Sequence, residues 1–574
     1  MTAKTEFATN EDLIAMDQLA ADLGATSTDC GTATIEDNLI RLSPLDAVMG
    51  PFGFTILYIF PPPENKGSFT SRPDSLTEST KEFSNRPYDL DRLRSSFMEL
   101  IEQDYPIMLG KLHVDPVTGV TSVLQTRECL AAGAKAIRFL QDPISALTTA
   151  DAMGSLPMSL MPPEREPTEL ISVKTTILAD GGMAIGVNLS HCLVDGEAMF
   201  TFMKTWGMRY RGVNGGAEQQ QQHVINHDKS LLFGKGNESM LPHPEFKVLE
   251  SSPEFAQAAA ASEAPAAADT AGSSGAAAPA APAAAPAAPA APAAAPAAPA
   301  AATSSEVAAA AAAELSPAET AATAPPPEAA PVFPPTSHSI FHLSPEQLKM
   351  LRSVASGPSD GSIASEPLDA GSEDQRTDHD PQAATYISTI DSLSALMLLL
   401  ISQARGHNKG VRFTTGVNGR RRLIPQLPQN YCGNVIFNAL SSYSASELSE
   451  TTADALHIIA RKIRQSIISC SDKHMRDAIE FLAAQPNLAA VRVGTDFFFG
   501  DDIMLTSWAN LGMYDADFGS RPWYVGVPML PCCDGMVVVM EGIQGAEGLD
   551  VLLLLESEAS ERFKRLWNAV PFWQ

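Results

Sequence analysis

A histidine and an aspartate stand four positions apart in Val187 to Gly196, VNLSHCLVDG, at the end of an apolar run and just before a glycine. Histidine suits proton abstraction near neutral pH, because its ordinary pKa lies close to that range. An aspartate returned by a tight turn can brace the histidine loop, and Gly196 removes a Cβ where the backbone must turn. His191 is therefore either a general base held by Asp195 or a satisfied buried polar residue, and the motif alone leaves both open. The chain's other histidines offer no rival centre. His223 and His227 have i,i+4 spacing, but their polar segment lacks an evident third ligand, so the expectation is a surface spacer and no metal site. Cys192 adjoins His191, and since successive strand side chains face opposite ways it is expected behind the cleft rather than as a nucleophile. No Gly-x-Ser-x-Gly elbow, Walker A loop or dinucleotide fingerprint follows a strand, which removes the support for hydrolase, NTPase or redox readings.

The surrounding pattern says what must position this loop. The stretch 169–191 holds two alternating runs rich in valine, isoleucine and threonine around Asp180-Gly181-Gly182, a β-hairpin signal. Residues 195–207 then place Ala198, Phe202, Met203 and Trp206 on one helical stripe, with Asp195 near the start and Gly207 near the end. His191 thus falls at a strand-to-turn-to-helix junction. Earlier, 53–61 reads as a strand and 89–106 as a helix stopped by proline. Later, 384–405 reads as a short strand entering a helix with Asp391 as N-cap. The segments 410–420, 502–508, 521–530, 535–543 and 549–556 read as strands and 447–468 as a long amphipathic helix. The expected fold class is α/β, mixed sheets with helices packed on them in two halves.

The halves are separated by an alanine- and proline-rich tract, roughly 256–335, whose repeated prolines forbid a continuous helix. The expected division is 1–225, a linker at 226–335, and 336–574 carrying a solvated acidic loop at 356–382. With 39 basic residues against 67 acidic ones, a formal net charge of -28, whole-molecule attraction to nucleic acid or anionic membrane is not expected. No apolar stretch is long enough to span a bilayer, and the N-terminus has no signal-peptide pattern. Seven scattered cysteines without a Cys-x-x-Cys pair point to reduced thiols, and the ending PFWQ is no peroxisomal signal; the expected address is cytoplasmic.

A series of segments, taken in order, resembles the acyl-CoA-dependent BAHD acyltransferases, particularly fungal relatives such as the trichothecene O-acetyltransferases. LSPLDAVMG (42–50) looks like the family's opening, LIEQDYPIMLGKL (100–112) like its Tyr-Pro helix end, and NLSHCLVDG like the HxxxDG signature. VNGRRRLIPQLPQNYCGN (417–434) is similar to an arginine-containing, proline-rich segment ending in Gly-Asn. DIMLTSWANLGMYDADFGSRP (502–522) is similar to the second signature, a Thr-Ser-Trp strand leading to DFGxG.

The resemblance implies a chloramphenicol-acetyltransferase-like fold with a channel between two domains. Acyl-CoA and a small-molecule acceptor would enter it from opposite faces, with no permanently bound cofactor, in a monomer. It assigns proton transfer to His191, oxyanion contact to Thr506 and the bracing of Asp195 to an arginine, with Arg420 favoured among three. Gly196, Asp517 and Gly519 become structural supports. Ser507, Trp508 and Asn434 are assigned to the channel, together with Arg521, which departs from the family by replacing the final glycine of DFGxG and could reach a CoA phosphate. The implied activity is acyl transfer, acetyl favoured, to a hydroxyl. The alternatives are N-acylation, a non-catalytic descendant, and a carrier-protein-dependent condensation domain, which would carry a second histidine where Ser190 stands.

Overall fold

The computed structural model describes residues 37–50, 52–63, 87–115, 119–212, 224–249, 333–357, 386–406, 408–529 and 533–573. The alanine- and proline-rich tract up to residue 332, residues 358–382 of the acidic loop, His223, Cys30 and Cys532 lie outside them.

Sixteen strands are assigned among the described residues. The first half supplies β1 (Asn38–Arg41), β2 (Gly53–Phe60), β3 (Lys111–Val114), β4 (Thr121–Gln125), β5 (Arg138–Asp142), β6 (Ile171–Ile177) and β7 (Met183–Ser190). The crossover holds β8 (Phe246–Val248). The second half supplies β9 (Thr336–Leu343), β10 (Val411–Asn418), β11 (Ile436–Tyr443), β12 (Val491–Val493), β13 (Ile503–Ser507), β14 (Tyr524–Gly526), β15 (Met536–Glu541) and β16 (Leu549–Glu556). Two sheets dominate, a five-stranded one ordered β14-β2-β7-β6-β5 and a six-stranded one ordered β11-β10-β13-β15-β16-β9. Both mix parallel and antiparallel pairs, as the α/β reading expected.

The Asp-Gly-Gly hairpin forms as β6 and β7, which pair antiparallel from Ile171↔Leu189 to Ile177↔Met183. β7 is paired on its two edges with β2 and β6 and packs into a hydrophobic cluster on each face, Ile185 and Val187 in one and Ala184 in the other, which suits its mostly apolar sequence. The helix Leu90–Gln103 buries Leu93, Phe97, Leu100 and Ile101, a stripe at helical spacing, and Asp89 caps it by accepting from Arg92 N–H.

Several expectations need correction. The helix Thr389–Arg405 is capped by Ser388, not Asp391. Asp391 is the third helical residue, and its carboxylate accepts from Ser388 N–H at 2.8 Å while Ser388 Oγ accepts from Asp391 N–H, a reciprocal box that satisfies two donors at once. No strand precedes that helix at 386–388. The helix Gly196–Arg211 runs past Gly207 and ends at Gly212, which takes the left-handed conformation at φ 69°. The first part of the stretch expected as linker is structured: Asn226 bridges to Tyr431, and β8 pairs with β12 of the second half. The second half in turn lends β14 to the first half's sheet, antiparallel to β2. One hydrophobic core accordingly joins Phe97, Val187 and Trp206 to Phe518, Val538 and Leu552 across both halves.

Candidate active site

β7 carries the backbone to Ser190 in register with Gly53, and one further bond, His191 N–H to Phe52 O at 3.0 Å, fixes the histidine's main chain just beyond the sheet. The chain turns at 191–195 and enters the helix at Gly196, with Asp195 as N-cap accepting from Ala198 N–H at 3.1 Å. The strand-turn-helix junction is thus present. Gly196 does not hold a left-handed turn, and a Cβ there would stand 3.4 Å from the Trp508 indole, at the near edge of ordinary contact.

Asp195 is fully buried and pairs with Arg420 through two bonds, Nη1 to Oδ2 at 2.6 Å and Nη2 to Oδ1 at 2.9 Å. Arg420 Nη2 also donates to the carbonyls of Tyr431 and Gly433, and Val435 N–H donates to Asp195 Oδ2. Both carboxylate oxygens of Asp195 are committed to this scaffold, and among the described residues their partners are Ala198, Arg420 and Val435 rather than the imidazole. A buried, bidentate pair with its remaining valences filled is the arrangement in which desolvation is compensated.

The histidine is oriented by Asn434. Asn434 Nδ2 donates to His191 O at 2.6 Å and to Asp46 Oδ1 at 3.1 Å, and its main-chain N–H donates to the same Asp46 oxygen at 2.7 Å. A carboxylate only accepts, so the Asn434 amide cannot be flipped, and its Oδ1 is the atom 3.0 Å from His191 Nδ1. The neutral ring must therefore carry its proton on Nδ1, leaving the Nε2 lone pair for chemistry. Loss of solvent lowers the imidazole pKa below its ordinary value, and the contact with Asn434 and the charges of Asp195 and Asp46 oppose this without reversing it. Phe54 meets the ring edge-on at 5.1 Å between centroids, and Trp508 lies 5.8 Å from Phe54.

Asp46 and Lys229 were not among the sequence candidates. Ser43 caps the short helix Pro44–Ala47, and the Asp46 carboxylate is salt-bridged to the buried Lys229 ammonium at 3.2 Å, so the anion under Asn434 is neutralised. Ser43-x-x-Asp46 is a legible N-cap signal, but Lys229 lies 183 positions away and nothing local pairs the two.

Thr506 and Ser507 end β13, both partly buried, and Trp508 follows them into the aromatic cluster with Phe54 and Phe200. A Cβ on Gly416 would stand 3.7 Å from Thr506 Oγ1, an ordinary contact distance. Cys192 is buried with its thiol 3.0 Å from Ser190 Oγ, and burial pushes its pKa up to about 11, which makes it a poor nucleophile. The DFG segment belongs elsewhere. Asp517 pairs with Arg211 at 3.0 Å and accepts from Gly519 N–H, while Gly519 sits at φ 105°. Arg211 closes the sixteen-residue helix that Asp195 opens, which puts the two aspartates' anchoring points about 24 Å apart at 1.5 Å per residue. Arg521 is exposed beside that far end.

Comparison with known proteins gives the family and the fold. A sequence model of the Transferase family matches residues 76–267 and 302–569. The chain is 24% identical over 502 residues to the hydroxycinnamoyl-CoA:5-hydroxyanthranilate N-hydroxycinnamoyltransferase HHT4 of Avena sativa, covering 87% of this chain and 90% of that protein. It is 30% identical to hydroxycinnamoyltransferase 1 of Oryza sativa over 41% of this chain, a match that spans about half, 47%, of that relative's length. Among solved structures, F. graminearum TRI101 complexed with coenzyme A and deoxynivalenol superposes with a TM-score of 0.60 at 16% identity, covering 92% of this chain and 97% of that one. Vinorine synthase superposes at 0.52 and 16% identity, covering 92% and 95%. With the family's sequence model spanning most of both halves and its fold recovered in the sheets described above, the chain belongs to the Transferase family, the BAHD acyltransferases.

Proposed function

We propose that the protein transfers an acyl group, acetyl in the favoured case, from coenzyme A to a hydroxyl of a small specialised-metabolite acceptor, with His191 as general base. The observation that carries this reading is the tautomer forced on His191: Asn434 accepts from Nδ1–H, so Nε2 is the free acceptor. Nε2 takes the hydroxyl proton as the acceptor oxygen attacks the thioester carbonyl carbon. The tetrahedral intermediate then expels the CoA thiolate, the C–S bond breaks, and the imidazolium returns the proton to sulfur, with no acyl-enzyme formed. Thr506 Oγ1–H is the donor assigned to the developing oxyanion, with Ser507 and Trp508 shaping the channel. Asp195 and Arg420 hold the loop and take no proton. The reading includes a monomer working in the cytoplasm with acyl-CoA only as co-substrate. Among the described residues no helix is long and apolar enough to cross a membrane.

A second reading follows from the oat relative, whose name specifies an aromatic acyl donor and transfer to nitrogen. The same Nε2 would deprotonate an attacking amine. Thiol release measured for acetyl-CoA and hydroxycinnamoyl-CoA against hydroxyl and amine acceptors separates the two. His191→Ala should lower kcat by about 10²–10⁴ with its melting temperature retained, and undiminished turnover in that variant removes His191 as the base.

A further inference from the structure

Apart from the acyl-transfer loop, one cluster of ligand-type side chains among the described residues gathers where the crossover meets the second half. His243 and Glu245 lie on the segment leading into β8, and His474 lies on the helix Asp472–Ala483. Glu245 Oε1 stands 2.8 Å from His243 Nδ1 and 2.8 Å from His474 Nε2, and the three donor atoms all fall within 4.8 Å of one another. Ligands about 2 Å from a shared ion are held roughly 3 to 3.5 Å apart by tetrahedral angles, so small rotations suffice to admit one. We propose that His243 Nδ1, Glu245 and His474 Nε2 bind a divalent transition-metal ion of the zinc class.

Two features beyond proximity support the assignment. His243 Nε2 lies 2.9 Å from Asp477 Oδ2, and the side chain of His243 is wholly buried. Asp477 thereby holds the ring with Nε2–H outward to the carboxylate and Nδ1 turned to the cluster, the relation in which a second carboxylate orients a metal-binding imidazole. Asp477 is itself fixed by the main-chain N–H groups of Met240 and Leu241 and by Ser239. In addition, Glu245 and His474 line a cavity of about 440 Å³, also bordered by Ser441, Lys462 and Cys470, which gives a three-ligand ion a side open to solvent. Two nitrogen ligands and one carboxylate with an open position match zinc rather than magnesium or calcium, which prefer all-oxygen shells. The ion would join the crossover to the 472–483 helix and stabilise the β8 and β12 pair. The sequence reading missed it because His243 and Glu245 are 231 and 229 positions from His474.

The test uses the full chain, stripped with chelator and titrated with Co²⁺ and Zn²⁺. The wild type should bind one ion per chain, show the visible d–d bands of four-coordinate cobalt, and melt at a higher temperature with Zn²⁺. His474→Gln and Asp477→Asn should each weaken binding about tenfold or more while leaving acyl transfer by metal-free protein unchanged. X-ray absorption on the wild-type zinc complex needs no variant and should count two imidazole ligands. No stoichiometric binding, fewer than two imidazoles, or affinity unaffected by His474→Gln overturns the proposal.

Discussion

At the scale of single residues, the division of labour around His191 rests on which atoms are already committed. Asp195 spends both oxygens on Arg420, Ala198 and Val435, and Asn434 spends both amide protons on His191 O and Asp46. A base that must be neutral, and whose pKa burial depresses, keeps working as the medium turns acid until pH falls through that lowered value. The acid limb of kcat/KM is therefore expected below about 6.5, the ordinary imidazole value, and a limb at or above it contradicts the environment described here. Asn434→Ala removes the acceptor that favours the protonated ring. It should move the limb further to acid and lower kcat about tenfold, as expected for one hydrogen bond to a charge. His191 and Asp195 were legible in sequence because they share ten residues with a strand end and a helix start. Asp46, Lys229 and the orienting role of Asn434 were not, since each depends on chain segments brought together from both halves.

At the scale of elements, the helix Gly196–Arg211 is the rod that connects the two signature motifs. Its N-cap is Asp195, and its last turn supplies Arg211 to Asp517. Gly207, which by pattern alone looked like a helix end, lies inside the rod, and a Cβ there would stand 2.7 Å from Asp517 O and 2.8 Å from Asp517 N. The glycine exists for close packing, a reason no periodicity reveals. Gly207→Ala raises helix propensity yet forces this backbone contact apart, so the expected net result is a loss of about 1–3 kcal/mol, read as a lower denaturation midpoint. A variant as stable as wild type would show that the DFG loop shifts freely.

At the scale of the whole molecule, the halves are joined by exchange rather than by a simple contact. β14 crosses into the first sheet, β8 pairs with β12, and Arg420 and Lys229 reach carboxylates of the first half. The family's sequence model skips residues 268–301, within the alanine- and proline-rich tract. Closure cost grows only slowly with loop length, by about 0.6 kcal/mol per doubling. Deleting 268–301 should leave the melting temperature and kcat at wild-type values, and a clear loss of either assigns that segment a structural or catalytic part. The amino-acid sequence by itself determined the mixed α/β class, the β6 and β7 hairpin and the position of His191 at a strand end, because each is encoded in local periodicity, turn residues and caps. Only the tertiary structure decided which arginine meets Asp195, which nitrogen of His191 is free, and how His243, Glu245 and His474 converge. Those outcomes depend on geometry between residues hundreds of positions apart, where burial penalises a polar atom left without a partner and local pattern carries no information about which partner it takes.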